Sequence, residues 1–197
     1  MAERMSTAVL DQLFLSARTQ NKWLPKDISD AQLREIIEIT RMGPTSANTQ
    51  PGRFLFLRSA EAKERLKPHL SEGNREKTLA APICCVVAHD MKFYENLPRT
   101  FPHRPQAKDG FIGKDAHIQA TAFRNGTLQG GYLMLAARSL GLDVGAMSGF
   151  DNAGVDKEFF AGTEWRSNFL VNIGYGDPTG VMQRLPRLSF DEYAKIA

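Results

Sequence analysis

Cysteine is scarce in this sequence, since the 197 residues contain only Cys84 and Cys85, and these two are adjacent. Neighbouring residues of a strand point to opposite faces, so a disulfide between them would be badly strained. Both lie in the apolar run PICCVVA, which indicates buried packing residues. The four histidines are scattered without the spacing of metal ligands. The sequence therefore favours neither a disulfide scaffold nor a metal site.

The sequence also lacks a long apolar run and a cluster of basic charge. Glu3, Arg4 and Asp11 interrupt the apolar residues at the start, so neither a signal peptide nor a membrane span is predicted. The formal net charge is +3, and the basic residues are spread along the chain, which argues against a nucleic-acid partner. We expect a cytoplasmic protein with one domain over residues 1–197.

Hydrophobic periodicity predicts a mixture of helices and strands. Ser29 and Gln32 form a capping-box pattern at the start of the second helix, and Gly43-Pro44 ends it. The predicted helices cover residues 6–18, 29–42, 60–70 and 115–140, with short helices that begin at Asp151 and at the capping box of Ser189 and Glu192. The predicted strands cover residues 53–57, 83–88, 144–147 and 169–173.

Residues 90–114 have no useful periodicity and contain Pro98, Pro102 and Pro105 among several aromatic residues. Loops of this length are uncommon in compact domains unless they cover a binding site. We therefore predict a long loop that acts as a candidate substrate lid.

The long predicted helix carries Gly126, Gly130 and Gly131 in its interior. Each glycine costs roughly 1 kcal/mol relative to alanine in a helix. Close approach of another helix is the usual compensation, which favours a helix at a dimer interface.

A polar loop, defined here as residues 43–51 (GPTSANTQP), follows the second helix. Its hydroxyl and carboxamide groups could recognise a flat polar heterocycle, because an amide offers a donor and an acceptor together. The alternative is a simple turn, in which the same residue types are common. Arginine and lysine at four positions could hold a phosphate monoester or be solvated surface charges, namely Arg18, Lys77, Arg184 and Arg187.

The order of these segments resembles the FMN-dependent nitroreductase family over nearly the whole chain. The resemblance is carried by RTQN at residues 18–21, PTSANTQP at 44–51, NREK at 74–77, MSGF at 147–150 and the basic residues from Arg184 to Arg187. It implies an α+β fold with a largely antiparallel central sheet flanked by helices. It also implies an intertwined homodimer with FMN bound between the subunits.

The resemblance assigns cofactor roles to particular residues. The flavin phosphate would be held by Arg18 and Thr19 of the early segment and by the late basic residues Arg184 and Arg187. Asn21 would make a weaker contact, because the family often has a basic residue at that position. Asn74 and Lys77 would reach the ribityl chain and the pyrimidine edge. The polar loop would act on the partner subunit's flavin through Pro44, Thr45, Ser46 and Asn48.

The bend at Met147, Ser148 and Gly149 would lie against the flavin ring, with a backbone N–H near N5. The family often has Glu in place of Ser148, and Trp in place of Gly52 after the polar loop. No protein nucleophile is implied, because the cofactor performs the redox chemistry while the protein binds and orients it.

The strings ARTQNKW, LPRTFPH, NIGYGD and RLPRLSF are similar to the malonic-semialdehyde reductases of bacterial pyrimidine degradation. This similarity implies that NADPH or NADH reduces FMN, which then delivers hydride to a three-carbon aldehyde acid. Two alternatives stay open, a general nitroarene or quinone reductase and a flavin-binding protein without turnover. The candidates for binding the substrate carboxylate are Arg99, His103, Arg104 and Arg124. For each of them taken singly, a solvated surface charge is the favoured alternative.

Overall fold

The computed structural model describes residues 3–197 and contains a four-stranded sheet. The strand order is β1-β2-β4-β3, and all three pairings are antiparallel. The predicted antiparallel sheet is therefore confirmed, although β4 is longer than predicted. The strands are β1 (Gly52–Leu57), β2 (Ile83–Asp90), β3 (Asp143–Met147) and β4 (Trp165–Gly174).

Helices pack on both faces of this sheet. At the start of α2, the Ser29 N–H donates to Gln32 Oε1 and the Gln32 N–H donates to Ser29 Oγ, so the predicted capping box is confirmed. The helices are α1 (Thr7–Leu10), α2 (Asp30–Thr40), α3 (Ala60–Leu66), α4 (Glu72–Ala80), α5 (Leu97–Thr100), α6 (Asp115–Ser139), α7 (Asn152–Phe159) and α8 (Phe190–Tyr193). Short 3₁₀ turns occur at Ser46–Asn48, Lys67–His69, Phe93–Asn96, Pro105–Gly110 and Pro178–Gly180.

Strand β2 divides the core because its side chains alternate between two buried faces. Cys85 and Val87 belong to the cluster that packs with α2 and α6, while Cys84 and Val86 belong to the cluster beneath α3 and α7. Burial raises the pKa of the Cys84 thiol to about 12. Both cysteines are free and fully buried, which confirms that they are packing residues.

The glycines of α6 have a different packing role from the predicted one. A Cβ at Gly126 would lie 2.8 Å from the His89 side chain, and one at Gly130 would lie 2.4 Å from the Phe169 ring. Both contacts are with the sheet. Within one protomer, close packing on β2 and β4, rather than on another helix, therefore compensates for the helix stability that these glycines cost. Gly131 points away from these strands, and a Cβ there would meet nothing within 4 Å.

The first helix ends earlier than predicted. Helix α1 continues as a π-helix over Asp11–Leu15, where the Ser16 and Ala17 N–H groups both donate to the Asp11 carbonyl. After the π-helix, the Arg18 side chain donates to the Ser16 and Ala17 carbonyl oxygens, and Ala17 and Arg18 line a cavity.

The segment from Asp90 to Lys114 is also more regular than predicted. It contains α5 and two 3₁₀ turns, and the side chains of Phe93 and Leu97 are fully buried. Phe93 and Phe111 pack edge to face, with their ring centroids 5.0 Å apart. Aromatic packing rather than helical periodicity therefore orders this segment. Among residues 3–197, no helix has the length and apolar character needed to cross a membrane.

Candidate functional site

A basic cavity of about 770 Å³ lies between residues 14–21, at and after the end of the first helix, and residues 182–187 near the C-terminus. Four arginines line it, and no carboxylate does so among residues 3–197. The predicted phosphate residues therefore come together, although they lie more than 160 positions apart in the chain. The polar and charged residues of this basic cavity are Arg18, Thr19, Asn21, Arg138, Gln183, Arg184 and Arg187.

Backbone carbonyl groups fix the two central arginines of the basic cavity. Arg18 Nη1 donates to the Ser16 carbonyl at 3.0 Å and to the Ala17 carbonyl at 3.1 Å. Arg184 Nη2 donates to the carbonyls of Phe14, Leu15 and Ala17. A guanidinium has five N–H donors in a fixed fork, so each arginine keeps donors for a ligand. Carbonyl hydrogen bonds thus orient the charges before any anion binds.

The electrostatics of the basic cavity suit an anion. Desolvation lowers the pKa of Arg184, and the nearby charges of Arg18 and Arg187 lower it further. The positive charges of Arg18 and Arg187 therefore disfavour the charge of Arg184. A bound phosphate would relieve that repulsion, because arginine pairs with phosphate through parallel N–H donors.

Arg138 is a residue of this cavity that the sequence analysis missed. It lies in the last turn of α6, and its Nη1 donates to the Leu13 carbonyl at 2.9 Å. Burial lowers the pKa of Arg138, Asp143 opposes that shift, and Arg184 adds to it. A basic residue close to a helix C-terminus also has an ordinary capping role, so the sequence alone offers little sign of this position.

The segment from Arg18 to Trp23 connects the basic cavity to the rest of the predicted site. The Gln20 N–H donates to the Val144 carbonyl of β3, and a Cβ at Gly145 would lie 2.4 Å from the Gln20 carbonyl oxygen. Further along, Trp23 Nε1 donates to the Lys77 carbonyl at 3.1 Å. The segment therefore lies against β3 and is tied to α4.

Helix α4 brings Asn74 together with the predicted bend after β3. Asn74 Nδ2 donates to the Gly149 carbonyl at 2.9 Å, and the Ser71 N–H donates to the same oxygen at 3.0 Å. A Cβ at Gly149 would lie 2.7 Å from Asn74 Nδ2, so glycine is needed here for packing within the protomer. The exposed Ser148 and half-buried Met147 complete the bend.

The Lys77 end of α4 is held by the centre of the sheet. Asn172 of β4 is fully buried, and its Nδ2 donates to the Lys77 carbonyl at 3.3 Å and to Thr78 Oγ1 at 3.2 Å. The Thr78 hydroxyl donates in turn to Met147 Sδ at 3.5 Å. A chain of polar contacts thus links β4, α4 and the bend.

The polar loop has an unusual backbone. Ala47, Asn48 and Gln50 have φ angles of 47°, 51° and 43°, in the left-handed region that non-glycine residues rarely adopt. Each such residue costs about 1–3 kcal/mol, and such conformations persist where the surroundings determine them. Asn48 Nδ2 donates to the Thr100 carbonyl at 2.7 Å, and Asn48 Oδ1 accepts from Gln50 Nε2 at 2.8 Å. The Asn48 amide is thereby bonded within its own chain.

None of the residues of the polar loop lines the basic cavity, and the loop leads into β1, at the opposite edge of the sheet from β3, on which residues 18–23 lie. Pro44, Ser46 and Asn48 are exposed and Thr45 is half-buried. Within one chain the phosphate candidates line the basic cavity, and residues 18–23 connect them to β3 and α4. Neither the α4 and bend candidates nor the polar loop lines that cavity.

The four candidates for a substrate carboxylate do not form one cluster. Arg99 donates to Asn96 Oδ1, His103 packs on Phe101 with centroids 4.0 Å apart, and Arg124 is exposed on α6. Only Arg104 lines a second cavity, of about 290 Å³, together with Phe111 and His117. The rings of Phe111 and His117 stack there at 4.8 Å.

The fold and the site define an α+β protein with an antiparallel sheet and a basic cavity beside one edge strand. The nitroreductase family model matches residues 15–175, and the chain belongs to the nitroreductase family, which confirms the predicted family. A Burkholderia lata protein, provisionally named NADH dehydrogenase/NAD(P)H nitroreductase, is 60% identical over 192 residues and covers 98% of each chain.

Two solved structures have the same fold at low sequence identity. A Bacillus subtilis protein provisionally named nitroreductase YdfN has a TM-score of 0.87 at 20% identity, covering 98% of this chain and 100% of its own. An Exiguobacterium sibiricum protein, provisionally named a nitroreductase and solved in complex with FMN, has a TM-score of 0.85 at 22% identity, with 100% of both chains covered.

Proposed function

We propose that this chain is an NAD(P)H-dependent flavin oxidoreductase that binds FMN with its phosphate in the basic cavity. The observation that carries the proposal is the convergence of Arg18, Arg138, Arg184 and Arg187 on one cavity. Family membership and the printed names of the relatives support the same activity. When bound, FMN supplies the redox chemistry by accepting hydride from NADPH or NADH and passing it to an acceptor.

The residues that are present fit a flavin mononucleotide. A phosphate monoester needs convergent cationic donors, and the basic cavity supplies guanidinium groups together with the Thr19 hydroxyl and the Asn21 amide. Asn74 and Lys77 lie on α4, which is connected to the 18–23 segment by the hydrogen bond from Trp23 Nε1 to the Lys77 carbonyl. Asn74 and Lys77 would hold the ribityl chain and the pyrimidine edge of FMN, and the 147–149 bend would contact the ring.

The bend orients the flavin ring through its backbone. Carbonyl oxygens of Ser148 and Gly149 accept hydrogen bonds from within the protomer, from the Phe150 N–H and from Asn74 and Ser71. In our proposal the backbone N–H groups of the bend would be the donors for N5 of a bound flavin. Because they belong to the backbone, replacement of the family's Glu by Ser148 changes the local polarity without removing the donor.

A homodimer completes each site in this proposal. The polar loop leads into β1, at the opposite edge of the sheet from β3 and the basic cavity, and in our proposal it contacts the flavin of the partner subunit through Pro44, Thr45, Ser46 and Asn48. Large exposed apolar surfaces usually mark interaction sites. Exposed apolar residues that such an interface would cover include Phe14, Met42, Phe123, Met182, Leu185, Leu188, Phe190 and Tyr193.

The proposed acceptor is malonic semialdehyde, which would be reduced to 3-hydroxypropanoate in the cytoplasm during pyrimidine degradation. Such an acid needs a cationic contact for its carboxylate, and Arg104 beside His117 is the best placed of the four candidates because it lines a cavity. A general nitroarene or quinone reductase is the second candidate. The stacked rings of Phe111 and His117 and the nitroreductase names of the relatives favour this alternative.

The choice of acceptor can be tested by anaerobic stopped-flow measurements on FMN-loaded protein that has been reduced with NADPH or NADH. We expect malonic semialdehyde to reoxidise the protein faster than a simple quinone, and Arg104→Met to slow only the semialdehyde reaction. Fast reoxidation by the quinone alone would establish the general reductase instead. Protein that binds FMN but is never reduced would be a flavin-binding protein without turnover.

A further inference from the structure

Three polar side chains on α6 lie on a face that is otherwise buried. Asn125, Gln129 and Tyr132 are spaced four and three residues apart, which places them on one side of the helix. Asn125 is 3% exposed and Gln129 is 4% exposed. Burying a carboxamide is unfavourable unless it is hydrogen-bonded, so these residues need partners.

The partners are backbone groups of the polar loop and of Gly52, which follows it. Asn125 Oδ1 accepts from the Ser46 N–H at 2.8 Å, and Gln129 Oε1 accepts from the Gly52 N–H at 2.7 Å. The Tyr132 hydroxyl donates to the Pro44 carbonyl at 3.0 Å. We call these three residues the polar ladder. The ladder contacts the loop on both sides of its left-handed residues.

The polar ladder leaves little freedom to the loop. A Cβ at Gly43 would lie 2.1 Å from the Tyr132 ring, and one at Gly52 would lie 2.8 Å from Gln129 Oε1. Glycine therefore stands at both ends, where a Cβ would collide with side chains of α6. Between these ends, Ala47, Asn48 and Gln50 keep positive φ angles that an unrestrained loop would relax.

We propose that Asn125, Gln129 and Tyr132 are positioning residues that preorganise the polar loop to bind the flavin ring. This inference rests on the proposed function, in which the loop contacts the ring while the basic cavity contacts the phosphate. A preorganised loop binds more tightly because it loses less freedom on binding. Weakening the ladder should therefore reduce affinity for any ligand that contains the ring, whether or not it has a phosphate.

The test compares FMN with riboflavin, which lacks the phosphate, by titration of flavin fluorescence well below the melting temperature of the apoprotein. Gln129→Met keeps the side-chain length but removes the acceptor, and it should raise the Kd of both flavins about tenfold. Tyr132→Phe should raise both Kd values about threefold. Gln119→Met makes the matched change at an exposed position of α6 and should leave both Kd values unchanged.

Each other outcome contradicts a distinct part of the inference. Unchanged Kd values in both Gln129→Met and Tyr132→Phe would overturn the positioning role. A lower melting temperature of apo Gln129→Met with unchanged Kd values would show that the ladder serves stability alone. A rise in Kd for FMN without one for riboflavin would assign the ladder to the phosphate. Wild-type protein that binds neither flavin would refute the proposed function itself, before any substitution is compared.

Discussion

Replacing Arg184 by methionine should weaken FMN binding by about 100-fold and leave riboflavin binding nearly unchanged. Arg184 lines the basic cavity and donates to three carbonyl groups of the Phe14–Ala17 segment. Hydrogen bonds to charged groups contribute about 1.5–3 kcal/mol each, which corresponds to roughly 10–150-fold in Kd. Only binding of the phosphate-bearing flavin, FMN, should be weakened, because the groups proposed to hold the flavin ring lie on α4, the bend and the polar loop.

The measurement is a pair of equilibrium titrations, with FMN and with riboflavin, for wild type, Arg184→Met and Arg184→Lys. Lysine keeps the charge but loses the planar fork, so its Kd for FMN should be intermediate. Arg65→Met removes an exposed arginine from α3 and is the matched control. An equal loss of affinity for both flavins in Arg184→Met would contradict the placement of the phosphate in the basic cavity.

Replacing Gly145 by alanine should reduce both the stability of the fold and the affinity for FMN. The new Cβ would lie 2.4 Å from the Gln20 carbonyl oxygen, which is a backbone atom and cannot move aside as a flexible side chain can. Overpacking typically costs about 1–3 kcal/mol. Relief of the strain requires the 18–23 segment and β3 to move apart, which would displace Arg18 and Thr19 relative to the sheet.

Thermal and denaturant unfolding of apo Gly145→Ala should show a loss of about 2–3 kcal/mol in the free energy of unfolding. The Kd for FMN should rise at least tenfold at a temperature where the variant is still folded. Gly110→Ala is the control, because a Cβ at Gly110 would meet nothing within 4 Å. Wild-type stability in Gly145→Ala would show that the segment is not packed on β3 in this way.

The parts of the fold that follow local rules could be predicted from the sequence. The capping box of Ser29 and Gln32 fixed the start of α2, and the apolar run around Cys84 and Cys85 predicted a buried strand. Helix α4 was missed because its sequence, EGNREKTLA, has no apolar stripe. Helix α5 and its flanking turns were missed because single aromatic contacts, such as that between Phe93 and Phe111, order them.

The candidate site was predictable in its membership more than in its geometry. Family resemblance selected Arg18 and Arg184, and the structure brings them together. Arg138 could not be selected as a phosphate-binding residue from the sequence, because an arginine in the last turn of a helix commonly stabilises the helix C-terminus. The polar ladder did leave a signal, since Asn125, Gln129 and Tyr132 share a helical spacing, but only the structure shows which backbone groups they meet.

The most direct test of the proposed function is anaerobic addition of NADPH, and separately of NADH, to the FMN-loaded wild-type protein. The visible absorption band of the bound flavin should bleach with at least one of the two nucleotides, at a rate that depends on nucleotide concentration. Free FMN at the same concentration is the control and should react far more slowly. Bleaching no faster than that of free FMN with both nucleotides would contradict the assignment of this chain as an NAD(P)H-dependent flavin oxidoreductase.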